Sequence, residues 1–358
     1  MSVLLSVVIP VYNLALYIES SLKNLMMEMT DEVETIVVDD GSIDNSKELV
    51  LKYINKYPSY NFYFYCKDNG GVSSARNLGT RKANGKYILY LDGDDYLESG
   101  SLTKILQRIK RSESDIIFWS YRIVNEQGKR VGDDSFRIEK NYVDTGASAM
   151  LRLLEKRDLY LVIGNAAYKR DCCLQIYFSE GCVAGEDMEF TFKQIAIAKQ
   201  IEFLQGACLN YVQRNKSAVH HYCIQRFDSI NAIERAYFYI RKNAVGFSND
   251  RFRILMIKEQ LINFAGTYRM LAQQKAMENC IALSKAFGIV DLELEALYPG
   301  LRRKMYALYA RNCKRVIWNK LFLFFGLSPK VYIYATCIKE LKVRALVYLK
   351  KLVNNSEK

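Results

Sequence analysis

Two hydrophobic periods take turns along the first two hundred residues. "LLSVVIPVY", "ETIVVDD", "NFYFYCKD", "KYILYLDGDD" and "DIIFWSYRIV" are short apolar runs rich in β-branched and aromatic residues, the pattern of strands buried on both faces. Between them, "LALYIESSLKNLMME", "NSKELVLKYINKY", "VSSARNLGTRKANG" and "SGSLTKILQRIK" carry helical spacing, the third stopped by Gly85. This alternation predicts right-handed crossovers and an α/β, Rossmann-like, mostly parallel sheet flanked by helices. Residues 125–165 are less regular, and "EQGKRVGDD" reads as a hairpin or loop. A helix, "EDMEFTFKQIAIAK", follows "GCVAG", and then two short strands, "QIEFLQ" and "ACLNYVQR". From about Ser217 the pattern is helical, over 222–245, 250–287, 292–325 and 330–352, with breaks near Gly246, Gly288, Pro299 and Pro329. The division this predicts is an α/β domain over 1–218 and a mainly α-helical C-terminal region over 219–358.

Composition narrows the class. The chain has 358 residues, half apolar and a quarter charged, so it can bury a substantial core and wholesale disorder is excluded. No run reaches the ~18 apolar residues of a spanning helix; the nearest, "LFLFFGL" from Leu321 to Leu327, is too short. "MSVLLSVVIPVYN" has neither a basic leader nor a small-residue cleavage site and reads as a first strand. Nine cysteines without a C-x-x-C pair, and only two histidines, argue against structural zinc and for reduced thiols in a cytoplasm.

Charge is unevenly spread. Residues 1–214 hold 26 Lys/Arg against 29 Asp/Glu, and residues 215–358 hold 25 against 10, which turns −3 into +15. In "RRKMYALYARNCKRVIWNKLFLFF" cationic and aromatic residues mix at helical spacing, and Lys339, Lys342, Arg344, Lys350 and Lys351 repeat the theme. Such a stretch suits an interfacial helix on anionic lipid, so residues 300–358 are expected to attach the chain peripherally to the inner face of a cell membrane. A bundle helix with a solvated charged face is the plainer account. No nucleic-acid module is recognisable, and nucleic acid is not expected as a partner.

Three of the strands end in polar signatures: "PVYN" (Pro10 to Asn13), "VVDDGS" (Val37 to Ser42) and "LDGDD" (Leu91 to Asp95). Ligands of open parallel sheets bind beyond the carboxyl ends of the strands, so neighbouring ends gather these signatures into one crevice. In "DGDD", Asp92 and Asp94 flank a glycine that lets a backbone or a bulky ligand come close. A hard cation, Mn²⁺ or Mg²⁺, takes one or two carboxylates plus diphosphate oxygens; the alternative is that Asp94 or Asp95 caps the next helix. In "DDGS", a carboxylate can accept a nucleobase N–H, or Asp40 or Ser42 can open a helix. "NGGVSSARNLG" offers backbone N–H groups and Arg76 to an anion, yet it fits neither the P-loop nor the dinucleotide spacing. "GEDMEF" sets Glu186 and Asp187 at a helix start, either as favourable charges there or as a general base.

Five motifs in this order, "SVVIPVYN", "VVDDGS", "NGGVSSARNLG", "YLDGDD" and "GEDMEF", resemble those of the family 2 glycosyltransferases of the GT-A fold, of the bacterial capsule, exopolysaccharide and cell-wall type. The resemblance covers roughly residues 4–215; the helical remainder resembles the variable tails of bacterial members. It implies a metal-dependent, inverting hexosyltransferase that moves a sugar from a nucleoside diphosphate sugar, a UDP-sugar, to a saccharide hydroxyl on a lipid-linked acceptor. Carried over residue by residue, it implies that Pro10, Tyr12 and Asp40 hold the nucleobase and that Asp39 buttresses the loop. Arg76 and Lys67 line the nucleotide, Asp92 faces the ribose, Asp94 takes the metal, and Asp187 is the base. Glu19, in "YIES", reads as structural. His220 is carried over as a second metal ligand, with His221 as its neighbour, and Arg214 and Ser217 as groups that approach the diphosphate. A sugar nucleotidyltransferase is the closest rival, but it needs a Gly-rich basic loop after the first strand, where this chain has "PVYNLALY". A catalytically silent scaffold on the same fold is the other alternative.

Overall fold

The computed structural model describes residues 2–131, 136–214, 223–244, 247 and 250–316. The N-terminal part runs β1 (Leu5–Val11), α1 (Ile18–Met26), β2 (Val33–Asp39), α2 (Ser46–Lys56), β3 (Asn61–Cys66), α3 (Val72–Lys82) and β4 (Tyr87–Tyr90). It continues through β5 (Tyr96–Leu97), α4 (Ser101–Ile109), β6 (Ile116–Asn125), β7 (Tyr142–Asp144), α5 (Gly146–Leu151), β8 (Ala166–Lys169), α6 (Arg170–Cys173), α7 (Glu186–Ile197) and β9 (Ile201–Gln213). The helices α8 (Asp228–Asn243), α9 (Asp250–Glu278), α10 (Leu283–Leu297) and α11 (Leu301–Val316) complete the described chain.

Among the described residues the strands form one nine-stranded mixed sheet in the order β3-β2-β1-β4-β8-β6-β9-β5, with β7 on β9. The segment β3-β2-β1-β4 is parallel; β8 then runs against both β4 and β6, and β9 is parallel to β6. Every residue of β1, β2 and β4 is buried, as the unbroken apolar runs require of strands covered on both faces. The principal core gathers Leu5, Val7, Ile9, Leu22, Val37, Leu89, Ile105, Ile117 and Trp119 on one face of that sheet. On the other, α3 lies so close to β1 that a Cβ on Gly79 would stand 2.3 Å from Val8 Cγ1.

Register decides where the polar signatures meet. Val11 pairs with Asp39 across β1 and β2, while Val8 pairs with Tyr90 across β1 and β4. The fourth strand therefore stops early, and its acids leave the sheet level with the last residues of β1. "QIEFLQ" and "ACLNYVQR", expected as two strands, are one, β9, which absorbs the intervening Gly206 in a register shift opposite Trp119 and Ser120. The shift keeps both halves hydrogen-bonded to β6, so the glycine bends the strand without ending it.

The chain divides into two compact units, Met1–His220 with Asn231–Asn249, and His221–Ile230 with Asp250–Lys358. In the second, Phe264, Tyr268 and Phe287 stack in series, with ring centroids 5.8 and 5.6 Å apart. Tyr298 donates to Asp228 Oδ1 at 2.6 Å, and Lys275 pairs with Glu293 at 2.7 Å. The expected break at Gly288 does not occur: α10 runs through it, and the interruption falls earlier, between Glu278 and Leu283. A glycine inside a helix costs only ~1 kcal/mol, which the burial of Phe287 and Val290 around it outweighs. The break expected at Pro329, and the tail from residue 317 onward, lie outside the described residues.

Candidate active site

The three carboxylates of "DGDD" meet three different fates. Asp92, at the mouth of the turn, accepts from Arg76 Nη2 at 2.8 Å. Asp94 pairs with Arg214 Nη2 at 2.7 Å. Asp95 is buried and accepts the backbone N–H of Val212 at 2.8 Å, which fastens the end of β9 to the turn. None of them caps α4; that task falls to Glu28, whose two oxygens take the N–H groups of Gly100 and Thr103. Gly93 sits in a tight turn, where a Cβ would crowd Leu14 Cδ1 at 2.8 Å and the carbonyl of Pro10 at 3.2 Å.

Crowding shows in the proton affinities. Burial, then the charge of Asp92, pushes Asp94 up to about 6, against the pull of Arg214. Burial, then Asp94 and Asp92, raises Asp95 well above the ordinary carboxylate range. Tyr211, on β9 beside them, is pushed up by burial and by the same acids.

The "PVYN" and "DDGS" turns are laced together. Asn13 N donates to Ser42 Oγ at 3.0 Å, and Ile43 N donates to Asn13 Oδ1 at 2.9 Å. Asp39 accepts Ser42 N at 3.1 Å, the buttressing role expected of it. Asp40 is buried, and its carboxylate takes Lys67 Nζ at 2.6 Å, Gly70 N at 3.0 Å and Gly71 N at 2.7 Å. The glycines ahead of α3 thus point their N–H groups at an anion, and in this structure that anion is Asp40. Neither Asp40 nor Ser42 opens α2; Asp44 sits at that end, accepting Ser46 N at 3.0 Å.

Opposite these turns, α7 presents Glu186 and Asp187. Arg76 Nη1 reaches Asp187 Oδ1 at 2.6 Å and Glu186 Oε1 at 3.4 Å. Glu186 is largely buried, and burial followed by the charge of Asp187 raises it to about 8, against the pull of Arg76. Asp187 remains 43% exposed, open to the crevice. The helix is anchored one turn on by Glu189, buried and bound by Arg235 at 2.6 Å, Lys193 at 2.5 Å and Ser179 at 2.9 Å.

These elements enclose one cavity of about 550 Å³. Pro10, Tyr12, Asp40 and Asn69 line one part of it, Asp92, Gly93, Asp94 and Arg214 another, and Glu186, Asp187 and Tyr211 a third. The predicted Pro10, Tyr12, Asp40, Arg76, Asp92, Asp94 and Asp187 all line it; Lys67 is drawn in through Asp40. His220 and His221 lie outside the described residues. Two features were not assigned from the sequence. The pairing of Arg214 with Asp94 and the raised proton affinity of Glu186 depend on contact and burial that no motif announces.

Among the described residues no three His, Cys, Asp or Glu side chains converge to hold a metal by themselves. Asp94, with Asp92 two residues away, nevertheless fits a hard divalent cation, because Mg²⁺ and Mn²⁺ commonly take one or two carboxylates and complete their shell with water and substrate phosphate. Asp94 is buried beside Asp92, a setting that favours a cation, and Arg214 and Arg76 already lend it positive charge. Among the described residues no helix is long and apolar enough to cross a membrane.

Residues 6–175 match the family "Glycosyl transferase family 2". Among curated relatives, the minor teichoic acid biosynthesis protein GgaB of Bacillus subtilis is 27% identical over 75% of this chain and 29% of its own length. EpsJ of the same organism, described as an uncharacterized glycosyltransferase, is 33% identical over 60% of this chain and 62% of its own. The poly(ribitol-phosphate) beta-N-acetylglucosaminyltransferase TarS of Staphylococcus aureus is 28% identical over 59% of this chain and 36% of its own. The chain thus spans less than two thirds of the length of each of these relatives. A crystal structure of S. aureus TarS residues 1–349 in complex with UDP superposes with a TM-score of 0.63 at 21% identity, covering 95% of this chain and 91% of that one. The mannosyltransferase PcManGT of Pyrobaculum calidifontis, solved with GDP-Man and Mn²⁺, gives 0.52 at 18% identity, covering 88% and 87%. These likenesses fix the fold as GT-A.

Proposed function

Residues 6–175 are a family 2 glycosyltransferase domain, and from that premise we propose that the chain transfers a sugar from a UDP-sugar to a saccharide hydroxyl, with inversion at the anomeric carbon. The observation that carries the proposal is the single cavity in which Asp40 and Tyr12, Asp92 and Asp94, and Asp187 all meet. Its volume of about 550 Å³ falls within the ~300–1,000 Å³ typical of small-molecule sites. The acid excess around Asp94 favours a cation, and Mn²⁺ or Mg²⁺ is the cofactor we infer. When bound there, with His220 as a further ligand, it supplies Lewis-acid neutralisation of the departing diphosphate.

The residues divide the work. Pro10 and Tyr12 flank the nucleobase, Asp40 and Lys67 meet its polar edge, and Asp92 faces the ribose. Asp187 takes the proton of the acceptor hydroxyl as its oxygen bonds to the anomeric carbon. The bond from that carbon to the diphosphate oxygen breaks at the same time, and its electron pair leaves on the nucleotide. Because a single displacement needs no protein nucleophile, the chain has no use for a Ser–His or Cys–His pair. General bases of this kind contribute ~10²–10⁴-fold.

The donor domain is proposed as residues 1–218 and the basic helical part as 219–358. A charge of +15 over residues 215–358 suits an acceptor carried on an anionic surface. We assign a lipid-linked saccharide in bacterial surface-polysaccharide synthesis, on the cytoplasmic membrane face, as acceptor. Arg303, Lys304 and Arg311 of α11 are exposed, in keeping with that surface. The test is hydrolysis of a panel of sugar nucleotides with Mn²⁺. Slow release of free UDP from one of them is expected. Pyrophosphate-forming chemistry, or no turnover and no UDP binding under any condition, overturns the proposal.

A further inference from the structure

Arg76 comes from the anion-binding-like "NGGVSSARNLG" stretch, and a contact to the nucleotide is its obvious use. The geometry gives it another. Its side chain is only 3% exposed, and both terminal nitrogens are already committed: Nη2 to Asp92 at 2.8 Å, Nη1 to Asp187 at 2.6 Å and to Glu186 at 3.4 Å. Burial opposes its charge, yet Asp187, Asp92 and Glu186 hold its proton firmly. Its guanidinium carbon lies over the ring of Phe178, 5.2 Å from the ring centre. That ring is fixed in turn, because it stacks on Phe190 of α7 at 4.0 Å and its backbone is clasped on both sides by Asn77, the residue after Arg76.

We propose that Arg76 is a positioning residue for the base: a rigid strut that sets Asp187 at a fixed distance from Asp92. The inference rests on the transferase reading and deepens it. A guanidinium is planar and offers its N–H groups in a fixed fork, so two carboxylates bound to adjacent nitrogens cannot drift apart independently. Asp92 leaves β4 on the donor side of the cavity, and Asp187 opens α7 on the far side. Nothing else described links the two side chains. Turning Arg76 toward a phosphate would strip Asp92 and Asp187 of their partner and leave a buried charge to find a new one, a costly exchange. Lysine, a single point charge on a flexible stem, keeps the charge and loses the fork.

The test uses the full chain with Arg76→Lys and Arg76→Gln. UDP with Mn²⁺ is titrated by calorimetry, and UDP release is measured at saturating donor, on the sugar nucleotide that the wild type turns over best. A positioning strut predicts UDP affinity within ~3-fold of wild type in Arg76→Lys and turnover lowered by at least ~30-fold, since misplacement near 1 Å costs on the order of 10²-fold. Arg76→Gln should lose more turnover than Arg76→Lys, again without matching loss of UDP affinity. The reverse split, UDP binding weakened at least ~10-fold with turnover kept at saturating donor, makes Arg76 a nucleotide contact and overturns the inference. If Arg76→Gln does not fold, Arg76→Lys alone decides by the same split. A wild-type chain that neither binds UDP nor releases it sinks the transferase reading itself, whereas an active wild type with the reversed split sinks only the strut.

Discussion

Arg214 Nη2 stands 2.7 Å from Asp94 Oδ2, and the same guanidinium lies 4.8 Å from the ring centre of Tyr17. The carboxylate assigned to a divalent cation is therefore already paired with a cationic side chain of the protein. An incoming cation has to displace this arginine or share the carboxylate with it. Arg214→Gln should tighten binding of Mn²⁺ alone by roughly 5–30-fold, because a partly buried ion pair is worth ~1–2 kcal/mol and 1.4 kcal/mol is tenfold. Calorimetry without nucleotide measures it; unchanged Mn²⁺ affinity would detach Arg214 from the cation site.

Asp187→Asn keeps the size of the side chain and removes its basicity. Turnover at saturating donor should fall by ~10²–10⁴-fold while UDP affinity stays within a factor of ~3. Retention of wild-type turnover in a folded variant would remove Asp187 from the base role.

Glu186 carries a pH signature. Its proton affinity rises from the ordinary 4.5 to about 8 on folding, through burial and then Asp187. A folded pKa above the unfolded one means that the folded state holds the extra proton. The associated stability is complete below about 4.5 and drains away as pH rises to about 8, after which it is flat. Glu186→Gln cannot ionise and escapes this loss. The stability of the variant relative to wild type should therefore grow between pH 5 and pH 8 by up to ~1.4 kcal/mol per unit, then level off. Melting temperatures across that range check it, and parallel curves would refute the buried proton.

Gly79→Ala tests the approach of α3 to β1. The added methyl would need to sit 2.3 Å from Val8 Cγ1, and Val8 is fully buried in the central sheet. Overpacking of this kind costs ~1–3 kcal/mol, more where the backbone must move. A drop of several degrees in melting temperature is expected, and a shift below one degree would mean that the helix is not held this tightly.

Membrane attachment is best tested by cutting after residue 316. Leu301 and Met305 of α11 are buried in the core of their unit, so an earlier cut would confuse unfolding with release. The shortened chain, which keeps Arg303, Lys304 and Arg311 but loses the basic positions after residue 316, should bind vesicles containing anionic lipid more weakly than the full chain, and to neutral vesicles neither form should bind. Undiminished binding would move the surface elsewhere and leave the basic region free for a polyanionic acceptor.

Much of the sheet was legible because its strands are covered on both faces, and such burial writes itself as unbroken apolar runs, as in β1 and β2. The convergence of "PVYN", "DDGS" and "LDGDD" was also legible, because strand ends in a parallel sheet share one edge. The continuity of β9 was not, since Gly206 ends a run in the sequence, and only pairing with β6 carries the strand past it. The helix through Gly288 was hidden for a similar reason: local propensity says break, and packing around Phe287 overrules it.

The sequence by itself determined which residues carry charge, where strands and helices alternate, and that several acids share one edge of a sheet. The tertiary structure alone decided how those charges are spent. Arg76 binds Asp92 and Asp187, Arg214 binds Asp94, the Gly70 and Gly71 N–H groups bind Asp40, and burial raises the proton affinity of Glu186. The physical reason is that composition counts charges, whereas proton affinity and pairing depend on distance and on exclusion of water, and these exist only once β4, α3, α7 and β9 are brought together.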